Sequence, residues 1–489
     1  MCWCCRCAQC DAVLTNFSSL LSMAFSLPAN EDFAAEQLEA EKRPGIRLFS
    51  VGTSVGKLQN GESGPQPDLR WVDQQWTKAS AASVGGCNPT LDARCMTRTD
   101  KGLLLNCSGA TNRLSTCSEF GYFSALCWHF GKKIYDANDG KVPVGLVSSN
   151  WGGTPLEDWA TADAFKACGG FKPEPRGTCR TAVPARGGNG ELWNSMLAPL
   201  AHGPTQLSGM LWWQGEANTK GLHCAKSYQC MFKAMISGWR AAFRQPEAFF
   251  GFVQLSTWCP VGEHGLGLAQ FREAQMAAAK LPNVGWATAA DWGAGCDIHP
   301  PMKAPVAARL ANSAIALLSQ YAPLRAKLNL TTAGAWRSPT FNASRAVPTA
   351  DGRAVVAIAL NDAAELRLIH PRNYRGMILN GSTTTAGYST GPPTNCTFLS
   401  RLSPNTCAWA AVEIDGVHWH NASVSVDASG RGLLLTTLAR VPGSGTRAGL
   451  VGGAKVTGAA YGYGPIPLLS VETVAGGLPV LPWNTSSEL

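Results

Sequence analysis

Between Glu119 and Leu317 the apolar residues switch repeatedly between two periods, and this alternation constrains the fold more than any other feature of the chain. Phe123, Leu126, Cys127, Phe130 and Ile134 recur at helical spacing, and Val142 to Val147 then forms a near-continuous apolar run of the kind a buried strand shows. Leu207 to Trp213 reads as a second strand, followed by a helix through Tyr228, Phe232, Met235 and Trp239. A third strand is expected at Phe249 to Leu255 with a helix from Leu268 to Lys280, and a fourth at Val284 to Ala289, leading to Asp291. Val306, Leu310, Ala314 and Leu317 mark the last helix. Strands that alternate with helices build an α/β fold, here a doubly wound, mostly parallel sheet covered on both faces. Its ligand site lies beyond the carboxyl ends of the strands.

The flanks read differently. Asn30 to Lys42 has the N-cap and acidic first turn of a helix, and Ile46 to Val51 reads as a strand. From about 52 to 118 the chain makes an irregular excursion rich in Gly, Pro, Ser and Thr, with one strand expected at Leu69 to Trp76 and disulfides expected among Cys87, Cys95, Cys107 and Cys117. Residues 1–22 carry five cysteines in the first ten positions and lack the charged start and apolar core of a signal peptide. They are expected to be an atypical N-terminus, either an incorrectly assigned start or disordered. Residues 23–328 form the α/β domain. Beyond it, strands at Ala354 to Leu360, Glu365 to His370, Ala408 to Ile414 and Val417 to Val426, with a hairpin turn at Asp415-Gly416, predict a β-rich C-terminal domain over 329–489.

Charge excludes little except the obvious: +8 net, from 41 basic and 33 acidic residues, is spread without a basic stripe, so no nucleic-acid partner is expected. No apolar run approaches the ~18 residues of a membrane span. Of the 18 cysteines, the thirteen between Cys87 and Cys407 are spread along the chain rather than paired as Cys-x-x-Cys zinc ligands. Asn-x-Ser/Thr sequons occur at Asn16, Asn106, Asn329, Asn342, Asn380, Asn395, Asn421 and Asn484. Cysteines and sequons together point to an oxidising, glycosylating route and a secreted or lysosomal-type location.

Three loops that follow expected strands carry chemistry. Ser148 to Pro155 contains Trp151-Gly152-Gly153, whose paired glycines allow a tight turn with amides facing an oxyanion. Trp212-Trp213-Gln214-Gly215-Glu216-Ala217-Asn218 sets a polar cluster at the end of a buried strand, where each polar group needs a partner. Asp291-Trp-Gly-Ala-Gly-Cys-Asp297-Ile-His299 places a histidine near two carboxylates. That pattern suits a general base whose tautomer a carboxylate fixes. A nucleophile is harder to find. Gly52-Thr-Ser54-Val-Gly56 has the elbow spacing, but the Gly/Pro-rich stretch after it does not form the helix an elbow needs. No Walker motif, dinucleotide fingerprint or His-Glu-x-x-His zinc site is present.

Five blocks taken in order, Pro143 to Trp159, Leu192 to Pro199, Trp212 to Asn218, Phe271 to Gln275 and Asp297 to Pro301, resemble the sialate O-acetylesterase family of SGNH-type serine esterases. The resemblance runs over about 23 to 325. It implies an SGNH-hydrolase sheet and hydrolysis of O-acetyl esters on sugars with no cofactor and no metal. It further implies His299 as general base, Asp297 as its orienting acid with Asp291 the alternative, and Gly152 and Gln214 as oxyanion donors. Trp151, Glu216 and Asn218 fall in the substrate-binding blocks. The family's Gly-Gln-Ser-Asn-Met nucleophile block is replaced by Ser18-Ser-Leu-Leu-Ser-Met23, which puts Leu21 at the serine position and Ser22 one residue out. Ser22 is the candidate nucleophile, and this polypeptide is expected to be impaired. An acetylxylan-type polysaccharide esterase and an inactive glycan-binding paralogue are the alternatives. Of the 17 tryptophans, Trp151, Trp212, Trp213 and Trp292 stand beside the blocks as sugar-stacking candidates.

Overall fold

The computed structural model describes residues 12–18, 33–51, 64–69, 72–85, 123–169, 190–203, 205–219, 224–258, 267–293, 300, 302–320, 334–369, 371–372, 407–408, 410–441, 446–447, 450–451 and 454–485. Contacts divide the chain into two compact units, Met1–Val253 with Gln275–Ala287 and Pro301–Gly334, and Gln254–Ala274 with Thr288–Pro300 and Ala335–Leu489.

A seven-stranded sheet runs through β1 (Ala12–Ser18), β2 (Ile46–Val51), β3 (Val72–Lys78), β4 (Val144–Asn150), β5 (Gly209–Trp212), β6 (Phe249–Gln254) and β7 (Val284–Thr288). Its spatial order is β3-β2-β4-β1-β5-β6-β7. The pairs β1–β4, β1–β5, β2–β4 and β5–β6 are parallel, and β3 closes one edge antiparallel to β2. The mostly parallel α/β sheet expected from the alternation is therefore present. One strand was not: Ala12–Ser18, inside the stretch expected to be an atypical or disordered N-terminus, lies between β4 and β5 in the middle of the sheet. Its Ala-Val-Leu-Thr-Asn-Phe-Ser sequence mixes β-branched, aromatic and polar residues, so neither a continuous apolar run nor a strict alternation announced it. Pairing on both edges with two buried strands supplies what local pattern did not.

The helices are α1 (Phe33–Glu41), α2 (Ala81–Gly85), α3 (Ala125–Ala137), α4 (Ala162–Ala167), α5 (Ala198–His202), α6 (Cys224–Ala242), α7 (Leu268–Met276) and α8 (Ala304–Leu318). Ser124 caps α3, its hydroxyl accepting from the Cys127 amide at 3.3 Å, and Thr161 caps α4 in the same way from Ala164. The apolar face read from the sequence is the buried one: Leu126, Cys127, Phe130 and Ile134 of α3, and Tyr228, Phe232, Met235 and Trp239 of α6. Helix α3 packs with α8, while α6 packs with α4 and α5. A disulfide joins Cys168, just after α4, to Cys230 on α6. The interior of this unit is aromatic: Trp212 meets Trp239 at 5.5 Å and Trp159 at 6.2 Å, both edge to face.

The second unit contains an antiparallel sheet built from Thr340–Val347, Val355–Asn361, Leu433–Thr437, His418–Val426, Ala410–Ile414 and Ala454–Tyr461 in that spatial order. Val356, Ile358, Val412, Ile414, Leu433, Leu435 and Tyr461 share its core. The hairpin expected at Asp415-Gly416 is there, with φ of 52° and 74° and the Val417 amide donating to the Ile414 carbonyl. No helix of the described residues is long and apolar enough to cross a membrane.

Candidate active site

Strands β4 and β5 flank β1, and each ends in one of the polar loops the sequence singles out. After β4, the Thr154 hydroxyl donates to the Trp151 carbonyl at 2.8 Å and accepts from Trp159 Nε1 at 2.9 Å, closing a turn in which Gly153 takes φ 69°. Gly152 is half-buried. After β5 the chain turns at Gly215, whose φ of 153° favours glycine, into a short turn of 3-10 helix at Glu216–Asn218.

Gln214 joins the two loops. Its Nε2 donates to Asn218 Oδ1 at 2.7 Å and to the Thr154 carbonyl at 3.2 Å, and Asn218 Oδ1 also accepts from the Leu156 amide at 3.0 Å. Asn218 Nδ2 in turn donates to Glu157 Oε2 at 2.9 Å. From below, Tyr228 Oη lies 3.0 Å from the Gln214 carbonyl and 3.3 Å from its Oε1, and Gln275 Nε2 donates to the same carbonyl at 3.0 Å. Burial, and then the charge of Glu216, push the Tyr228 hydroxyl well above its usual range, so it is a neutral donor. Gln214 is 0% exposed and Asn218 and Glu216 are each 2% exposed.

The tryptophans separate. Trp212 and Trp213 are 0% exposed and belong to the core, and Trp151 is 6% exposed. Trp213 carries Lys303 Nζ 5.7 Å above its ring, with Lys303 itself 1% exposed at the start of α8. Trp292 lies against the Arg372 guanidinium at 5.3 Å.

The sequence gives no hint of two charged clusters. In the first unit, Glu36 on α1 accepts from Trp128 Nε1 at 2.8 Å and Lys132 Nζ at 2.5 Å on α3. His129 Nδ1 stands 3.8 Å from the same carboxylate, and burial pulls its imidazole down to about 4, so the ring is neutral. In the second unit, Asp291 is 0% exposed and meets Arg372 Nη1 at 3.2 Å, while Arg372 Nη2 also bonds Glu472. Arg367 reaches Glu472 at 2.7 Å. Burial alone raises the Glu472 carboxyl, but Arg372 and Arg367 outweigh it and hold it below the usual carboxylate range.

Thus Gly152, Gln214, Glu216 and Asn218 are brought onto two adjoining loops, with Trp151 in the first of them. Ser22, Asp297 and His299 lie outside the described residues, as do Ser54, the cysteines of 1–10, and Cys87, Cys95, Cys107 and Cys117. Glu157, Tyr228 and Gln275 were missed as site residues, because their spacing signals only helix or loop. Among the described residues no cluster of His, Cys, Asp and Glu is arranged to hold a metal.

A mostly parallel α/β sheet with linked polar loops at the carboxyl ends of β4 and β5 defines an α/β domain whose candidate ligand site lies at that edge. Residues 124–315 match the family model of carbohydrate esterases described as sialic acid-specific acetylesterase. It is 33% identical over 310 residues to the sialate O-acetylesterase of Rattus norvegicus, covering 54% of this chain and 49% of the relative. With the sialate O-acetylesterase of Pongo abelii it shares 36% identity over 292 residues, 56% of this chain and 47% of the relative. The chain spans about half the length of these curated relatives. A crystal structure of a carbohydrate acetylesterase from Xanthomonas citri aligns with a TM-score of 0.62 and 21% identity, covering 98% of this chain and 81% of that one, which shows a shared fold.

Proposed function

We propose that the chain is a carbohydrate O-acetylesterase of SGNH type, acting on O-acetylated sialic acids or related sugars without a cofactor. The observation that carries this reading is the placement of the two family loops, Trp151–Glu157 and Gln214–Asn218, on β4 and β5 at either side of β1. β1 ends at Ser18, shortly before Ser22 in a segment the family uses for its nucleophile. The separate packing of α3 with α8 and of α6 with α4 and α5 fits a doubly wound sheet.

In the reaction, Ser22 Oγ attacks the acetyl carbonyl while His299 takes its proton. The Gly152 amide and the Gln214 side-chain amide stabilise the oxyanion, and His299 returns the proton to the departing sugar hydroxyl as the ester C–O bond breaks. Water, deprotonated by His299, then attacks the acetyl carbonyl of the acetyl-serine, and His299 passes that proton to Ser22 Oγ as the Oγ–C bond breaks and acetate leaves. Asp297 is assigned as the orienting acid, because Asp291 Oδ2 already faces the Arg372 guanidinium. Trp151, Glu216 and Asn218 shape the substrate side of the loops. Disulfide bonding at Cys168–Cys230 and the sequons support a secreted or lysosomal-type setting.

Acetate release from O-acetylated sialic acid and from acetylated xylan tests this, using the wild type, Ser22→Ala and His299→Ala. Turnover lost in both variants supports the assignment, and the preferred substrate separates sialate from polysaccharide esterase. Sugar binding without acetate release by the wild type overturns it in favour of an inactive glycan-binding paralogue, for which Leu21 at the family's serine position is the motive.

A further inference from the structure

The two hydrogens of the Gln214 amide are not equivalent. One points to Asn218 Oδ1 at 2.7 Å and the other to the Thr154 carbonyl at 3.2 Å. The shorter bond ends on an acceptor whose own amide donates to the Glu157 carboxylate at 2.9 Å, and an amide that donates to an anion is a stronger acceptor at its oxygen. On the opposite side of the Gln214 amide, Oε1 faces Tyr228 Oη at 3.3 Å, and that hydroxyl keeps its proton, shared between Oε1 and the Gln214 carbonyl at 3.0 Å. The Gln214 carbonyl is held independently by Gln275, so the backbone stays in place even without Tyr228.

We infer that Glu157, Asn218 and Tyr228 are positioning residues that lock the plane of the Gln214 amide, so that the hydrogen facing the Thr154 carbonyl, and not the one held by Asn218, is the hydrogen offered to the oxyanion. The inference rests on the esterase reading and deepens it. An unlocked amide could rotate about its last side-chain bond and present Oε1, an acceptor, where a donor is required. Glu157 supplies the negative end of the chain without touching the reacting atoms. Its half-buried carboxylate strengthens the Asn218 acceptor more than a neutral amide in its place would.

The test uses the full chain in two arms. In the first, Tyr228→Phe, which keeps the ring against Phe232 at 5.5 Å, and Glu157→Gln, which keeps a hydrogen-bond acceptor, are assayed for acetyl-ester hydrolysis. Tyr228→Phe is expected to lower kcat about 10-fold and Glu157→Gln about 3-fold, both with KM within about 2-fold, because the lost orientation matters only where charge develops. In the second arm, the ¹⁵N-labelled side-chain amide of Gln214, identified by its disappearance in Gln214→Glu, is followed by NMR hydrogen exchange. Its exchange is expected to quicken at least about 10-fold in Tyr228→Phe, since a freed amide reaches solvent through more rotamers. An unchanged exchange rate in Tyr228→Phe overturns the locking role, whatever the activity. Faster exchange in Tyr228→Phe, in a protein whose wild type hydrolyses no ester, upholds the lock and removes the esterase reading instead. Equal losses of kcat and a raised KM in both variants show a merely structural role and also overturn the inference.

Discussion

Arg372 Nη1 stands 3.2 Å from Asp291 Oδ2, and the same guanidinium bonds the buried Glu472, so one cation from the β-rich stretch serves two carboxylates that are both at most 1% exposed. Asp291 opens the loop that leads from β7 towards Asp297 and His299 in sequence. At Gly293 that loop passes so near Thr257 that a Cβ would collide with its side chain. Within the second unit the pair therefore holds the start of the loop by charge, beside the apolar packing of Ala290 in the core of the C-terminal sheet. Removing one member of a buried pair strands the other, and the stranded charge dominates the cost.

Arg372→Met is accordingly expected to destabilise the protein by about 3 kcal/mol, with Asp291→Asn less costly and the double variant milder than the sum. Urea unfolding of the four proteins measures this. Strict additivity would show that the two groups do not interact.

Stability should respond to acid in two windows. His129 is held down to about 4 from an ordinary 6.5 in surroundings that include Glu36, Lys132 and Lys303. The unfolded chain therefore binds this proton first, and stability falls as pH drops from about 6.5 towards 4, by roughly 3 kcal/mol in all. Glu472 works from the other side. Its carboxyl is held below the ordinary 4.5, so its contribution is present above that pH and is lost as pH falls through the lowered value. A His129→Gln variant is expected to flatten the upper window and leave the lower one, read by thermal melting across pH 3 to 7.

The Cys168–Cys230 disulfide closes a separation of 62 residues and anchors α4 to α6. Its loss in Cys168→Ala with Cys230→Ala should cost about 4 kcal/mol by the chain-entropy estimate. Equal denaturation midpoints with and without the bond would contradict this.

Gln214→Leu removes the proposed oxyanion donor and leaves an apolar side chain of similar length. It is expected to lower kcat for acetyl esters by about 10²- to 10³-fold with little change in KM. Steady-state kinetics with a chromogenic acetyl ester decides, and a change confined to KM would place Gln214 in ground-state binding.

Local patterning in the sequence accounts for β4, β5, α6, β6, α7, β7 and α8 and for the β character of the C-terminal part, but not for α4 or α5. Those elements announce themselves through periodicity: the buried faces of α3 and α6, the mostly buried β4 and the all-buried β5, β6 and β7 are local patterns that any chain with this spacing would show. It likewise marked Gly152, Gln214, Glu216 and Asn218, since polar groups at the end of a buried strand need partners. Tertiary structure alone decided the rest. Ala12–Ser18 becomes a central strand because β4 and β5 offer it two paired edges, a gain invisible in seven residues of mixed polarity. Glu157 reaches Asn218 across 61 positions, Gln275 reaches the Gln214 carbonyl across 61, and Arg372 reaches Asp291 across 81. Such bonds form because folding brings distant groups together where water is excluded and each buried polar atom must find a partner, and no local pattern encodes which partner that is.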